Sequence, residues 1–185
     1  MIDPLELRFD RDATGWGWSG LAGSTLDGSP AVATPVALEA TSPSPHPNGI
    51  VRVDHVVAAT PNVDRSIESL EAAGLELRRV RDTTIAGSSG RQAFFWAGDV
   101  ILEVVGPATP AGDQPLALWG LAVVSDDLDS TVAWLGPTRC SPPRAAVQAG
   151  RRIATLRTRE LGISIPVAIM DAHPQEAVGS EATDG

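Results

Sequence analysis

The sequence predicts an α+β fold built from two copies of a strand–helix–strand–strand–strand module. An internal repeat is the first observation, because the segment "HVVAATPNVDRSIESL" from His55 matches "GLAVVSDDLDSTVAWL", which begins 65 residues later at Gly120. The second observation is a later pair, "GRQAFF" from Gly90 and "GRRIAT" from Gly150, which are 60 residues apart. A slightly shorter second copy explains the two spacings, so two related modules fit the chain better than one irregular fold.

Each module opens with an apolar strand and then turns into a helix. In the first module, Val63, Ile67 and Leu70 fall on one helical face. Thr60 is the predicted N-cap, with Pro61 at the first helical position, where its missing N–H costs nothing. This pattern predicts a βα unit in which the helix packs its apolar face onto the sheet.

The second module repeats this pattern with different residues. Leu128, Val132 and Leu135 form the apolar face of the helix, and Ser125 or Asp126 is the predicted cap. Runs of β-branched and aromatic residues predict three strands after the first helix and two after the second. The predicted strands are 76–81, 91–96, 100–105, 151–157 and 163–170.

The predicted organisation has one main domain and two flanking segments. Asp27-Gly28 predicts a hairpin turn in a short N-terminal β extension, which ends in the linker "TSPSPHPNG". The C-terminal tail is polar and acidic, which predicts disorder. The boundaries are 1–49 for the extension and linker, 50–107 and 116–171 for the modules of a domain over 50–171, and 172–185 for the tail.

The composition excludes several classes of function. The net charge of −9 argues against nucleic acid and anionic membranes as partners, since both need basic patches. All fourteen basic residues are arginine, which excludes a Schiff-base lysine and a P-loop lysine. The segment "GWGWSG" lacks a preceding apolar strand and a following helix, so no nucleotide cofactor is expected.

Features of the chain that bear on its compartment predict a cytoplasmic protein. No stretch approaches the run of about 20 apolar residues that a membrane span needs, and the N-terminus lacks a signal-peptide core. Cys140 is the only cysteine, so an intrachain disulfide is impossible and a reducing compartment is expected. A surface or half-buried thiol without catalytic function is the interpretation that its neighbours favour.

Three segments carry a resemblance to a known superfamily: "VDHVVAATPNVDRSIESLEAAGLE", "GRQAFFWAGDVILEVVGP" and "LWGLAVVSDDLDSTVAWLG". Over about residues 50–171 the chain resembles the vicinal oxygen chelate superfamily, which includes glyoxalase I, extradiol dioxygenases and bleomycin resistance proteins. The glyoxalase-like domains are the most similar. This resemblance implies a cup-shaped sheet with a divalent metal held by residues from the first and last strand of each module.

Carried over to this chain, the resemblance implies a site at His55 and Glu103. They would be metal ligands or a catalytic acid–base pair, and a His–Glu hydrogen bond in a pocket wall is the structural alternative. The second module departs from the pattern, because Gly120 stands at the histidine position and Ala168 or Ile169 near the carboxylate position. The metal site is therefore expected to be degenerate, since two protein ligands are too few for tight binding.

Other residues could complete such a site. His46, His173 and Asp171 are available as additional ligands, although none is well placed by spacing. A homodimer could instead supply a second His55 and Glu103 through a two-fold axis. Both routes are left open by the sequence.

Several further residues are candidates for a substrate pocket. Phe95 and Trp119 could line the apolar wall, and Arg91 could bind an anionic ligand. Arg151 and Arg152 occupy the equivalent strand start in the second module. Core packing for the aromatic residues, and solvent exposure or pairing with an acid for the arginines, are the structural alternatives.

The function predicted from the sequence is that of a glyoxalase-like protein acting on or binding a small organic molecule. If it is an enzyme, the resemblance implies a lyase or dioxygenase of the glyoxalase type. The alternative is a non-catalytic protein that binds and sequesters a drug, as bleomycin resistance proteins do. Fold alone does not choose between them, because one fold hosts many activities.

Overall fold

The computed structural model describes residues 25–30 and 47–173, which form two compact units. The first unit contains 25–30 and 55–119, and the second contains 47–54 and 120–173. The segment "GWGWSG", His46 and the tail beyond His173 lie outside the described residues, so the predictions made for them are not tested.

The first unit is a strand–helix–strand–strand–strand module with a small hairpin. Its sheet has the order β4-β5-β6-β3, in which β3 runs parallel to β6 and the other neighbours are antiparallel. The elements are β1 (Thr25–Leu26), β2 (Ser29–Pro30), β3 (Ile50–Ala59, of which 55–59 belong to this unit), α1 (Val63–Ala72), β4 (Glu76–Ile85), β5 (Ser88–Ala97) and β6 (Val100–Pro107).

The second unit repeats this topology. Its sheet has the order β8-β9-β10-β7, with β7 and β10 parallel and the other neighbours antiparallel. The predicted α+β fold of two βαβββ modules is thereby confirmed. The elements are β7 (Ala117–Ser125, of which 120–125 belong to this unit), α2 (Leu128–Leu135), β8 (Arg144–Ala145), β9 (Arg152–Thr155), a 3-10 turn (Thr158–Leu161) and β10 (Val167–Asp171).

Both helices begin later than the sequence predicted. The N-cap of α1 is Asn62, whose side chain accepts a hydrogen bond from the backbone N–H of Arg65 at 3.1 Å. Thr60 instead accepts from the backbone N–H of Asn62. The N-cap of α2 is Asp127, which accepts from the N–H of Ser130 at 3.0 Å. The predictions of Thr60 and of Ser125 or Asp126 were wrong, because neighbouring residues with similar capping preferences compete for the position.

The predicted hairpin at Asp27-Gly28 is confirmed. Both residues have positive φ, 47° and 81°, as a tight two-residue hairpin turn requires. The Asp27 carboxylate accepts hydrogen bonds from Arg65 and Ser66, and its backbone N–H donates to the Ser69 hydroxyl. The hairpin is therefore attached to α1 through a polar contact.

Helix α1 packs on β5 and β6 and so gives the two faces of this sheet different environments. Ala93, Phe95 and Ala97 are buried on β5, and Leu102 and Val104 are buried on β6. Side chains alternate along a strand, so the intervening residues of both strands point away from this core. That second face carries the candidate site.

Cys140 is fully buried, which corrects the prediction of a surface or half-buried thiol. It lies in the core of the second unit with Leu128, Ala154 and Ile169. The chain after Gly136 turns inward, and the Cys140 backbone N–H donates to the Gly136 carbonyl. Burial raises the pKa of the Cys140 thiol, so the nucleophilic thiolate is disfavoured.

We expect Cys140 to react with a thiol reagent on the order of 100-fold more slowly in the native protein than in urea, because reaction requires local opening. The measurement is the absorbance change on reaction with a chromogenic disulfide at pH 8, with the urea-unfolded chain as the control. A native rate equal to the unfolded rate would contradict the burial of this side chain.

Candidate functional site

The structure brings His55 and Glu103 together. Glu103 lies on β6 opposite Val57, and His55 lies opposite Ile101 in the same parallel pairing. The distance from His55 Nε2 to Glu103 Oε2 is 3.7 Å, and the side chains are 21% and 14% exposed. The pair is thus partly shielded from water yet accessible from the face that α1 leaves uncovered.

Glu103 is held by a chain of polar contacts that runs across the sheet. The Gln92 amide nitrogen donates a hydrogen bond to Glu103 Oε1, and Arg81 Nε donates to Gln92 Oε1 at 2.7 Å. Arg81, Gln92, Glu103 and His55 come from four neighbouring strands, β4, β5, β6 and β3. Because Gln92 fixes one carboxylate oxygen, the other is directed towards His55.

Strand register identifies the counterparts of this pair in the second module. Val57 pairs with Glu103 in the first module, and Ala122 pairs with Ala168 at the equivalent place in the second. Ala168 is therefore the counterpart of Glu103, and the repeat places Gly120 at the position of His55.

Of the other two members of the polar chain, Gln92 has an apolar counterpart in the second module and Arg81 has an arginine. Ile153 pairs with Met170 as Gln92 pairs with Val105, so Ile153 is the counterpart of Gln92. Arg144 pairs with Ile153 and is the counterpart of Arg81. At three of the four positions of the polar chain the second module has no polar side chain, since it carries Ile153, Ala168 and Gly120. Only Arg144 keeps the residue type of its counterpart.

The predicted ligands His55 and Glu103 do not make up a complete metal site. Within residues 25–30 and 47–173, no group of three or more His, Cys, Asp or Glu side chains is placed to hold a metal ion. The Asp171 carboxylate accepts from Arg152 at 2.9 Å, and His173 is exposed. His55 and Glu103 supply two donors, whereas a catalytic zinc site uses three protein ligands and a structural site four.

Of the three residues predicted for a substrate pocket, two lie on the helix side of the sheet. Arg91 donates to the Asp64 carboxylate of α1 at 2.6 Å, and Phe95 is fully buried opposite Leu102. Trp119 lies in β7 and is 53% exposed. The structure therefore does not bring Arg91 or Phe95 together with His55 and Glu103.

The residues that do share the site face on β5 are Gln92, Phe94 and Trp96. Phe94 is the direct register partner of Glu103, and Gln92 lies diagonally from it. A signal for them existed in the sequence, since side chains two residues apart share a face. It could be used only after the antiparallel register of β5 on β6 was known.

The fold is that of the vicinal oxygen chelate proteins, which confirms the predicted resemblance at the level of the fold. No family model matches the chain, and a search of curated proteins also found no match. No helix in the described residues is long and apolar enough to cross a membrane.

Three solved structures illustrate the similarity. The chain is 18% identical to methylmalonyl-CoA epimerase from Mycobacterium tuberculosis, with a TM-score of 0.55 over 72% of this chain and 95% of the other. A second methylmalonyl-CoA epimerase gives 14% identity and a TM-score of 0.50 over 65% and 94% of the two chains. A mutant of 4-hydroxymandelate synthase from Streptomyces coelicolor gives 14% and 0.51, over 79% of this chain and 54% of the synthase.

Proposed function

We propose that the chain binds a small organic molecule at His55 and Glu103, and that this pair exchanges a proton with the bound molecule. One observation carries the proposal: the polar chain from Arg81 to His55 is present in the first module, whereas the second module has Ile153, Ala168 and Gly120 at three of its positions. A carboxylate oriented by a bridging amide beside an imidazole is an arrangement suited to general acid–base chemistry.

The proposed step is abstraction of a proton from a carbon next to a carbonyl group. Glu103 Oε2, the oxygen that Gln92 does not hold, takes the proton from carbon, and His55 donates a hydrogen bond to the carbonyl oxygen on which negative charge develops. The proton on Glu103 exchanges with water, and Glu103 then returns a solvent-derived proton to the planar carbon, which re-forms the C–H bond and completes the exchange. No step is assigned to a metal, because the described residues do not supply a full set of ligands.

The first compound to test follows from the names of two of the similar structures, which are methylmalonyl-CoA epimerases. The carbon between the carboxylate and thioester of methylmalonyl-CoA carries one acidic hydrogen. We expect the protein to accelerate deuterium incorporation at this carbon in D2O, and Glu103→Gln to reduce the rate by about 10²–10⁴-fold, the usual contribution of a general base. Proton NMR measures the loss of the hydrogen signal.

Matched variants make this experiment specific. Arg81→Gln should lower the exchange rate, because it removes the donor that orients Gln92, whereas Arg144→Gln alters the counterpart in the second module and should leave the rate unchanged. Exchange by Glu103→Gln at the wild-type rate would refute the proposed role of this carboxylate.

A second candidate function is binding without chemistry. The replacement of Glu103 and His55 by Ala168 and Gly120 in the second module favours it, since only one module carries the pair. Binding of the thioester that is weakened in Glu103→Gln, without deuterium exchange in the wild type, would support this candidate. The lyase, dioxygenase and drug-sequestration interpretations, and the homodimer, stay predictions.

A further inference from the structure

A cluster of arginine and aromatic side chains lies on the same face of the sheet as Glu103. The guanidinium carbons of Arg79 and Arg81 each lie 5.1 Å from the centre of the Phe94 ring. The guanidinium carbon of Arg78 lies 5.4 Å from the centre of the Trp96 ring. These five residues are called the arginine platform below.

The platform depends on an irregularity in β4. The register between β4 and β5 shifts between Leu77 and Arg79, so Arg78 is an extra residue in the pairing. In a regular strand Arg78 and Arg79 would point to opposite faces. Here their guanidinium groups lie over Trp96 and Phe94, which share one face of β5, as expected where a bulge redirects a side chain.

The charge of the platform is largely uncompensated. Among the described residues, no carboxylate lies within 4.0 Å of the Arg79 or Arg81 guanidinium, and the contact of Arg78 with Glu76 is an exposed one at 3.7 Å. The whole chain carries a net charge of −9, so a group of three arginines is a local reversal of sign. Such a reversal attracts an anion.

We propose that Arg79 and Arg81 bind the anionic group, a carboxylate or a phosphate, of the molecule whose carbon lies at Glu103; this extends the proposed function above. A guanidinium that stacks on an aromatic ring keeps its N–H edge available for two parallel hydrogen bonds to such a group. Arg81 uses its Nε for Gln92, so its two terminal nitrogens are the donors that it would offer to the ligand.

Strand register sets the length of that ligand. Arg79 pairs with Phe94, and Phe94 pairs with Glu103, so the three residues form a row across β4, β5 and β6. The Arg79 guanidinium lies over the Phe94 ring and not at the β4 end of this row, and Phe94 is one strand spacing, about 4.8 Å, from Glu103. The ligand is therefore a small organic anion whose charged group lies about one strand spacing from its reacting carbon.

The proposal is tested by calorimetric titration of the wild-type protein and of Arg79→Gln with phenyl phosphate, benzoate and inorganic phosphate. We expect the wild type to bind at least one organic anion, and Arg79→Gln to weaken its affinity about tenfold or more, since a charge-assisted bidentate contact is lost. Arg144→Gln removes an arginine at the counterpart of Arg81 and should bind as the wild type does.

The two organic anions show whether the site prefers a carboxylate or a phosphate. Stronger binding of benzoate assigns a carboxylate, and stronger binding of phenyl phosphate assigns a phosphate. Absence of binding by the wild type, or equal affinities for wild type and Arg79→Gln, would overturn the platform as a binding site.

The titration also separates this proposal from the proton exchange. Deuterium exchange reports on His55 and Glu103, whereas anion affinity reports on Arg79. If the wild type binds anions through Arg79 but exchanges no proton, the platform stands and the proposed reaction fails. If exchange proceeds at the wild-type rate in Arg79→Gln and the anion affinity is also unchanged, the reaction stands and the platform fails.

Discussion

Replacement of Arg151 by alanine is expected to lower the free energy of unfolding by about 3–5 kcal/mol, the cost of breaking a buried ion pair. The Arg151 side chain is 2% exposed, and its Nη2 donates to Asp54 Oδ1 at 2.7 Å. The same guanidinium donates to the Gln148 side chain at 2.6 Å and to the Asp171 carbonyl at 2.9 Å. Alanine would remove this donor from the Asp54 carboxylate, whose side chain is only 11% exposed.

The neighbouring residue provides a matched control. Arg152 is 45% exposed and pairs with Asp129 at 3.0 Å and Asp171 at 2.9 Å. Exposed pairs contribute about 0–1 kcal/mol because water screens them, so Arg152→Ala should cost no more than about 1 kcal/mol. Urea denaturation followed by circular dichroism measures both. Equal costs for the two variants would show that burial of Arg151 does not determine its contribution.

The same pair shows why the sequence could not give every contact. Arg151 and Arg152 are adjacent and chemically identical, and the sequence predicted for both either solvent exposure or pairing with an acid. Their environments differ because neighbouring positions of an extended chain point to opposite sides. Which side is buried depends on the packing of the second unit, where Arg151 reaches Asp54, 97 residues away.

Features that depend on local pattern were predictable. The duplication, the two helices and the hairpin at Asp27-Gly28 follow from apolar periodicity and turn chemistry, which act over short stretches of chain. His55 and Glu103 were also brought together as expected from the resemblance, since first and last strands of the module are parallel neighbours. Their proximity depends on this one pairing and not on the register of the remaining strands.

Features that depend on register were not predictable. Gln92 reaches Glu103 diagonally across an antiparallel pair, and Arg81 reaches Gln92 from one strand further out. A shift of one residue in either pairing would move these side chains to the other face. The same dependence explains why Phe95 was predicted for the pocket although Phe94 shares the face of Glu103.

Phe95→Ala is expected to lower the free energy of unfolding by about 3–5 kcal/mol, because removal of a buried aromatic ring loses its transfer energy and leaves a cavity. Phe95 is fully buried, and its register partners on the helix side are Leu77 and Leu102. Phe95→Leu keeps most of the volume and should be less destabilised, so it provides a folded variant for binding measurements.

The variant Phe94→Ala tests which face of β5 binds the anion. Phe94 is partly exposed and contacts Arg79 and Arg81, so its loss should cost less stability than the loss of Phe95. It should instead weaken the binding of phenyl phosphate or benzoate, because the stacked guanidiniums lose the ring that holds them. Phe95→Leu, by contrast, should bind these anions as the wild type does.

Urea denaturation and calorimetric titration of Phe94→Ala and Phe95→Leu measure the stability and the anion affinity. Loss of anion affinity in folded Phe95→Leu would place the ligand on the helix side of the sheet. The polar chain from Arg81 to Glu103 lies on the opposite side, so this result would contradict the assignment of the site face.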